Sequence, residues 1–205
     1  MRPNTEREFH ECSNSPGEIV DKLLHARADY AASGNDYYDE VLDEVSAQID
    51  AQGSVGKTDI AALVCWKRLN ASTRWVSQLM QMPDSEVRRC TKNAVEHARS
   101  TNPIDVAVRE AIKAMEIIPG LKSGKAVASA VLTAAAPLRM AVYDRRVHAS
   151  MNDLGIRLGS GAGLYPRYMR SVDQIRALVN AAGETWIARD VDIALYWMQA
   201  KRVER

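Results

Sequence analysis

Apolar residues recur every three or four positions along nearly the whole of this 205-residue chain. No stretch shows the alternation of apolar and polar residues, bounded by turns, that is typical of a half-buried strand. This pattern restricts the choice of fold, because each amphipathic helix has to bury its apolar side against other helices. We therefore predict an all-α fold.

Turn and capping residues divide the chain into separate predicted helices. Ser15-Pro16-Gly17-Glu18 has the spacing of a capping box with proline at the first helical position. Asp144 stands where an N-cap would open a helix that ends at Leu154. The other expected helices cover residues 36–52, 57–69, 72–80, 84–99, 167–182 and 184–202, together with one helix on each side of Pro119-Gly120.

The composition is that of a folded protein of one domain or two small subdomains, with 46% hydrophobic and 26% charged residues. The longest apolar stretch, from Ala126 to Leu138, is too short to span a bilayer, so no membrane partner is expected. The N-terminus lacks a signal-peptide core and the three cysteines are scattered, which favours a cytoplasmic location. The cysteines and histidines show no metal-ligand spacing, so we expect no metal and no cofactor.

The net charge of +1 hides an uneven distribution of charge. Residues 1–50 carry four Lys or Arg against 12 Asp or Glu, whereas residues 51–205 carry 23 against 14. We therefore divide the chain into an acidic N-terminal helical segment, 1–50, and a basic domain, 51–205. A basic surface attracts nucleic-acid phosphates whatever their sequence, although many globular proteins have uneven charge without binding nucleic acid.

The segment most informative about function runs from Ile118 to Ala130 and is followed by Met140-Ala141-Val142-Tyr143-Asp144-Arg145. Apolar residues before Pro119 have helical spacing, Pro119-Gly120 ends that helix, and a second helix rich in small residues begins near Lys125. Residues 108–136 are thus expected to form two helices joined by a tight glycine hairpin. This unit holds one amine and one carboxylate at fixed positions.

These residues resemble the helix-hairpin-helix DNA glycosylases, the superfamily of endonuclease III, the adenine-mismatch glycosylase and 8-oxoguanine DNA glycosylase. The hairpin of that family reads roughly Leu-Pro-Gly-Val-Gly-x-Lys-x-Ala. Its lysine is the nucleophile, and an aspartate follows at a gap close to the 19 residues between Lys125 and Asp144. The hairpin here is one residue longer and has Lys122 where the second glycine of the family falls. The resemblance is clearest over residues 104–154.

The resemblance implies two helical subdomains that flank a cleft, and a DNA glycosylase that excises a damaged or modified base. Lys125 would form a Schiff base with the sugar, which adds a β-lyase activity, and Asp144 would stabilise the positive charge on the sugar. The partner would be DNA, as a duplex with a flipped base or as a single strand, and a monomer is expected. The DNA-binding residues would be Gly120, Lys122, Ser123, Gly124, Arg145 and Arg146.

The last predicted helix resembles the C-terminal helix of 8-oxoguanine DNA glycosylases, which bears a glutamine that reads the base and, one turn later, an aromatic residue that stacks on it. Asp192 and Tyr196 have that spacing, and Tyr143 is a third candidate for binding the base. An ionised carboxylate cannot donate a hydrogen bond, so 8-oxoguanine is not implied as the substrate. The alternative is that Tyr196 belongs to the core and that Asp192 pairs with Arg189.

The other assignments also have simpler alternatives. Asp144 would serve only as a helix cap, and Lys125 would be a solvated lysine. Trp66-Lys67-Arg68 offers aromatic and basic groups for DNA, but its tryptophan equally suits the core. The second hypothesis is therefore a non-catalytic helix-hairpin-helix DNA-binding or interaction module, in which Lys122 and Lys125 only contact phosphates.

Overall fold

The computed structural model of the protein describes residues 14–34, 37–122 and 126–203, with side chains as far as residue 200. Within these ranges the chain forms ten α-helices and no β-strand, which confirms the predicted all-α fold. None of these helices is long and apolar enough to cross a membrane. In chain order they are α1 (Pro16–Ala31), α2 (Glu40–Gln52), α3 (Lys57–Trp66), α4 (Arg74–Gln81), α5 (Asp84–Arg99), α6 (Ile104–Ala114), α7 (Ala126–Ala135), α8 (Arg145–Asp153), α9 (Leu164–Ala181) and α10 (Ala188–Val203).

Two helix starts lie where capping residues predicted them. Oγ of Ser15 accepts a hydrogen bond from the N–H of Glu18 (3.3 Å), and the Glu18 carboxylate accepts one from the N–H of Ser15 (2.6 Å), so the capping box opens α1. Oδ1 of Asp144 accepts a hydrogen bond from the N–H of Val147 (3.0 Å) and caps α8. Each cap binds an amide three residues further along the chain, so its signal is local in the sequence.

The third helix ends earlier than predicted. The pattern favours a helix as far as residue 69, but α3 ends at Trp66. Arg68 adopts a left-handed backbone conformation (φ +53°), and the N–H of Leu69 donates to the carbonyl of Val64 at 2.9 Å. This is the hydrogen-bond pattern of a helix C-terminus that usually has glycine in the left-handed position, so the sequence carried no stop signal there.

The last helix begins four residues later than predicted, at Ala188 rather than at residue 184. The side-chain amide of Asn180 holds the backbone of Trp186 at both its N–H (2.7 Å) and its carbonyl (3.0 Å). Oδ2 of Asp190 accepts a hydrogen bond from the N–H of Ile187 (3.0 Å) and so caps α10 from within its first turn. These side chains keep the preceding residues out of the helix. The second helix likewise begins at Glu40 rather than at residue 36, and residues 37–39 form a turn.

Helix α7, which the sequence predicts as the second helix of the hairpin, lies at the centre of the fold. Its residues from Val127 to Ala135 are all buried. It packs against α2, α3 and α5, while α6 packs against α5 and α9, and α10 against α1, α8 and α9. A helix that is buried on every side needs neighbours all round, and the alanines of α7 let those neighbours approach closely. The buried residues of α1 and α2 belong to the same core, so the described part of the acidic segment packs into the body of the protein.

The connection between α6 and α7 contains the Pro119-Gly120 turn. Gly120 has φ +86°, and a Cβ atom at this position would lie 2.4 Å from Cε3 of Trp75. Both the backbone conformation and the close approach of the indole require glycine here. Ser123, Gly124 and Lys125 lie outside the described residues, and α7 begins directly after them at Ala126.

Candidate functional site

The carboxylate of Asp144 lies at the N-terminus of α8 and forms an ion pair with Lys67, from the turn that ends α3. Nζ of Lys67 donates to Oδ2 of Asp144 at 2.7 Å, and the two side chains are 13% and 21% exposed. Burial raises the pKa of Asp144, but the charge and hydrogen bond of Lys67, together with backbone N–H groups of α8, outweigh burial and lower the pKa overall. Asp144 is therefore an ionised carboxylate in a partly buried site.

A cavity of about 540 Å³ opens around this ion pair. Four consecutive residues at the start of α8, Tyr143 to Arg146, line it, and so do Lys67, Arg68 and Leu69. The remaining lining residues are Tyr38, Ala126 and Tyr196. The cavity thus contains five residues that the sequence nominated, Tyr143, Asp144, Arg145, Arg146 and Tyr196. Lys125 lies outside the described residues, but the residue that follows it in the chain, Ala126, is part of the cavity wall.

A second cavity of about 520 Å³ shares Tyr38, Lys67, Arg68, Arg146 and Tyr196 with the first. Its wall includes five aromatic residues, whereas the whole chain has only four Trp, seven Tyr and one Phe. Flat aromatic faces of this kind bind planar ring systems by stacking. The five aromatic residues are Tyr30, Tyr38, Trp66, Tyr196 and Trp197.

An ion-pair network closes one side of the aromatic cavity. The guanidinium of Arg189 binds both carboxylate oxygens of Asp39 (2.8 and 3.0 Å from Nη2) and also donates to Asp192. Its Cζ atom lies 5.2 Å from the ring centre of Trp66, whose indole N–H donates to Asp39 at 3.1 Å. The pairing of Asp192 with Arg189 that the sequence offered as the simpler alternative is thus present.

Asp192 lines the aromatic cavity although it is only 2% exposed. Burial raises the pKa of its carboxyl group, and the neighbouring guanidinium of Arg189 only partly offsets that effect. Oδ2 of Asp192 is held by Arg189, so only the other carboxylate oxygen, Oδ1, remains to bind the edge of a base.

The two tyrosines that the sequence nominated have different surroundings. Tyr196 is half-buried, lines both cavities and accepts a hydrogen bond from Arg146 (2.6 Å), whose guanidinium carbon lies 5.0 Å from the ring centre. Tyr143 is buried, its hydroxyl contacts Nδ1 of His148 (2.8 Å), and its ring packs edge-on against Tyr168. Tyr196 therefore offers a surface to a ligand, while Tyr143 mainly supports the cavity wall.

The residues nominated for binding DNA fall into two groups. Arg145 and Arg146 line the cavity that contains Asp144, whereas Gly120 and Lys122 lie on the turns between α6 and α7 and line neither of the two cavities. Ser123 and Gly124 lie outside the described residues. Within the described ranges, no group of three or more His, Cys, Asp or Glu side chains is arranged to hold a metal ion.

Sequence analysis did not find the partner of Asp144. In the sequence Lys67 is one of the basic residues near Trp66, and it lies 77 residues from Asp144 in the chain. Asp39, which holds Arg189, lies 150 residues from its partner, and no motif in the sequence marks it. Neither pair has a local pattern that would reveal it, because each joins two distant parts of the chain that only the folded structure brings together.

Comparison with models of protein families, with curated proteins and with solved structures gives no match to this chain. Its function therefore has to be inferred from its residues and from the geometry of the two cavities.

Proposed function

We propose that the protein is a DNA glycosylase of the helix-hairpin-helix type, with two helical subdomains flanking a cleft, that excises a damaged or modified base. One observation carries this proposal. An ionised carboxylate, that of Asp144, lies in a cavity that adjoins an aromatic-lined cavity of about 520 Å³. Small-molecule sites typically have volumes of about 300 to 1,000 Å³, and a single nucleobase fits that class.

The proposed reaction needs a negative charge beside the sugar and a nucleophile. As the bond between C1′ and the base breaks, its electron pair leaves with the base, which takes up a proton, and positive charge develops on the sugar. The Asp144 carboxylate stabilises that charge. The neutral amine of Lys125, assigned from the resemblance, bonds to C1′ and loses a proton. The C1′–O4′ bond then breaks, O4′ takes up a proton, and the opened sugar is held as a Schiff base. Loss of a C2′ proton then expels the 3′ phosphate by β-elimination, which is the lyase step.

The base and the phosphates would be bound by the surroundings of Asp144. In the proposed complex the flipped base enters the aromatic cavity and stacks on Tyr38, Trp66 or Tyr196. Arg68, with Arg145 and Arg146, would hold the phosphates next to the flipped nucleotide, because all three line the cavity of Asp144.

The alternative function is a non-catalytic DNA-binding or interaction module, and one observation favours it. Both oxygens of Asp144 already have partners within the protein, Val147 N–H and Lys67. A carboxylate so engaged can be explained as a helix cap in an ion pair, with no catalytic role. Lys122 and Lys125 would then contact phosphates only.

Borohydride trapping on DNA that contains an abasic site separates the two functions. Borohydride reduces a Schiff base to a stable amine, so the enzyme should become covalently linked to the DNA. Lys125→Gln should abolish this link and the strand cleavage while retaining much of the DNA affinity, since it removes one phosphate contact at most. Lys113→Gln, which removes the charge of an exposed lysine on α6, is the matched control and should trap normally.

Two further results would decide the assignments. Mass spectrometry of the trapped peptide should locate the adduct on Lys125, and an adduct on Lys67 would transfer the nucleophilic role to that residue. Asp144→Asn should lower the excision rate by about 100-fold or more with near-normal binding. Asparagine caps helices as well as aspartate does, so a loss confined to thermal stability would come from the broken ion pair with Lys67 and would identify Asp144 as a structural residue.

A further inference from the structure

Lys67 lies between the two cavities and lines both of them. On one side it forms the ion pair with Asp144 at 2.7 Å. On the other side it acts electrostatically on Asp192, the carboxylate of the aromatic cavity. With a side chain only 13% exposed, it adds a positive charge near two poorly solvated carboxylates. Carboxylates that share a site without such a cation cannot both remain ionised.

We propose that Lys67 is a positioning residue that keeps the Asp144 carboxylate ionised and directed into the cavity where the sugar would react. The role in catalysis rests on the proposed glycosylase function, whereas the control of Asp144 by Lys67 is a property of the folded protein. The geometry supports the assignment because Oδ1 of Asp144 is fixed by Val147 N–H while Oδ2 is fixed by Nζ of Lys67. The two bonds together set the orientation of the carboxylate.

The groups that face Asp144 come from several elements. Lys67 approaches from the end of α3, Tyr168 from α9 and Asp192 from α10, while Tyr143 and the N–H groups of Arg146 and Val147 belong to the start of α8. Burial favours the protonated form of Asp144, and the negative charge of Asp144 raises the pKa of Asp192 in turn. Lys67 is the cation that opposes the effect of burial directly, so its removal should allow Asp144 to take up a proton at a higher pH.

The test compares Lys67→Met, which removes the charge, with Lys67→Arg, which keeps it, and with Lys113→Met as a control for the loss of one charge. Carbon NMR of the side-chain carboxyl groups follows the titration of Asp144, whose signal is identified by its absence in Asp144→Asn. The midpoint should rise by about 1 to 3 pH units in Lys67→Met. It should stay near its original value in Lys67→Arg and in Lys113→Met. Lys67→Gln provides the same comparison if the methionine variant does not fold.

The excision rate as a function of pH gives the second readout. In Lys67→Met the acid limb of the rate profile should move to higher pH by the same amount as the NMR midpoint. In Lys67→Arg the acid limb should stay at the pH of the wild type. An unchanged midpoint, or an active enzyme whose profile does not follow the midpoint, would overturn the proposal. A wild-type protein that neither excises a base nor traps on abasic DNA, but whose Asp144 midpoint moves as expected, would instead refute the glycosylase function and leave the pairing role of Lys67 standing.

Discussion

Replacement of Gly120 by alanine should destabilise the protein for two separable reasons. The first is the backbone, since φ is +86° and a residue with a Cβ atom pays about 1 to 2 kcal/mol in the left-handed region. The second is the indole of Trp75, because the new Cβ would lie 2.4 Å from Cε3 and 2.6 Å from Cδ2. A ring that is half-buried can shift, so we assign this contact the lower part of the overpacking range, about 1 kcal/mol. The expected loss is therefore about 2 to 3 kcal/mol.

Urea unfolding followed by far-UV circular dichroism measures this loss, and a second glycine provides the control. Gly161 has φ +81°, and a Cβ atom there would meet nothing within 4 Å. Gly161→Ala should therefore cost only the backbone part, about 1 to 2 kcal/mol. The difference between the two variants isolates the contact with Trp75.

A double-mutant cycle tests the cause directly. In a Trp75→Leu background the ring is gone, so Gly120→Ala should cost no more than Gly161→Ala does. Equal losses at Gly120 and Gly161 in the wild-type background would refute the reasoning, and so would a Gly120→Ala cost that is the same with and without the indole.

Two further predictions concern Arg68 and Asp84. Arg68→Gly should raise the free energy of unfolding by about 1 kcal/mol, because φ is +53° at this helix end and glycine adopts that conformation without strain. The same substitution should lower DNA affinity and reduce the salt dependence of binding by the equivalent of about one phosphate contact. A lower free energy of unfolding together with unchanged DNA binding would contradict both parts. The pKa of Asp84 is lowered, chiefly by the N–H of Lys57 (2.7 Å) and further by Arg88 (2.8 Å). Its stabilising contribution should be complete above the unfolded-state pKa of about 3.9 and should disappear as the pH falls through the lower folded-state pKa. Acid unfolding of Asp84→Asn should therefore show a smaller loss of stability below about pH 4 than the wild type, and parallel curves would refute this.

Those parts of the fold that depend on neighbouring residues could be predicted from the sequence. The all-α class follows from apolar spacing, and the starts of α1 and α8 follow from Ser15 and Asp144, whose partners lie three residues away. The end of α3 could not be predicted, because the position that normally signals a stop with glycine is occupied by Arg68. The start of α10 depends on Asn180, which binds Trp186 across a turn that has no characteristic spacing.

The candidate site divides in the same way. Asp192 and Tyr196 lie one turn apart on α10, so their common position beside the aromatic cavity follows from helical geometry. The aromatic cavity as a whole could not be predicted, since Tyr38, Trp66 and Tyr196 come from three separate parts of the chain. The pairing of Lys67 with Asp144 depends on the same long-range packing.

Some acidic residues among the first fifty form ion pairs with arginines of residues 51–205. Asp39 binds Arg189, and Asp50 pairs with Arg99 of the basic domain. Each pair neutralises one arginine that residues 51–205 could otherwise offer to DNA. Arg189 is, moreover, largely buried in the wall of the aromatic cavity. In the proposed complex with DNA, attraction to phosphates would therefore come from exposed cations near the site, of which Arg145 and Arg146 lie beside Asp144. The net excess of positive residues after position 50 therefore overstates the electrostatic attraction available for DNA. The acidic segment also helps to build the cavity proposed for the base, because its Asp39 holds Arg189 in the cavity wall.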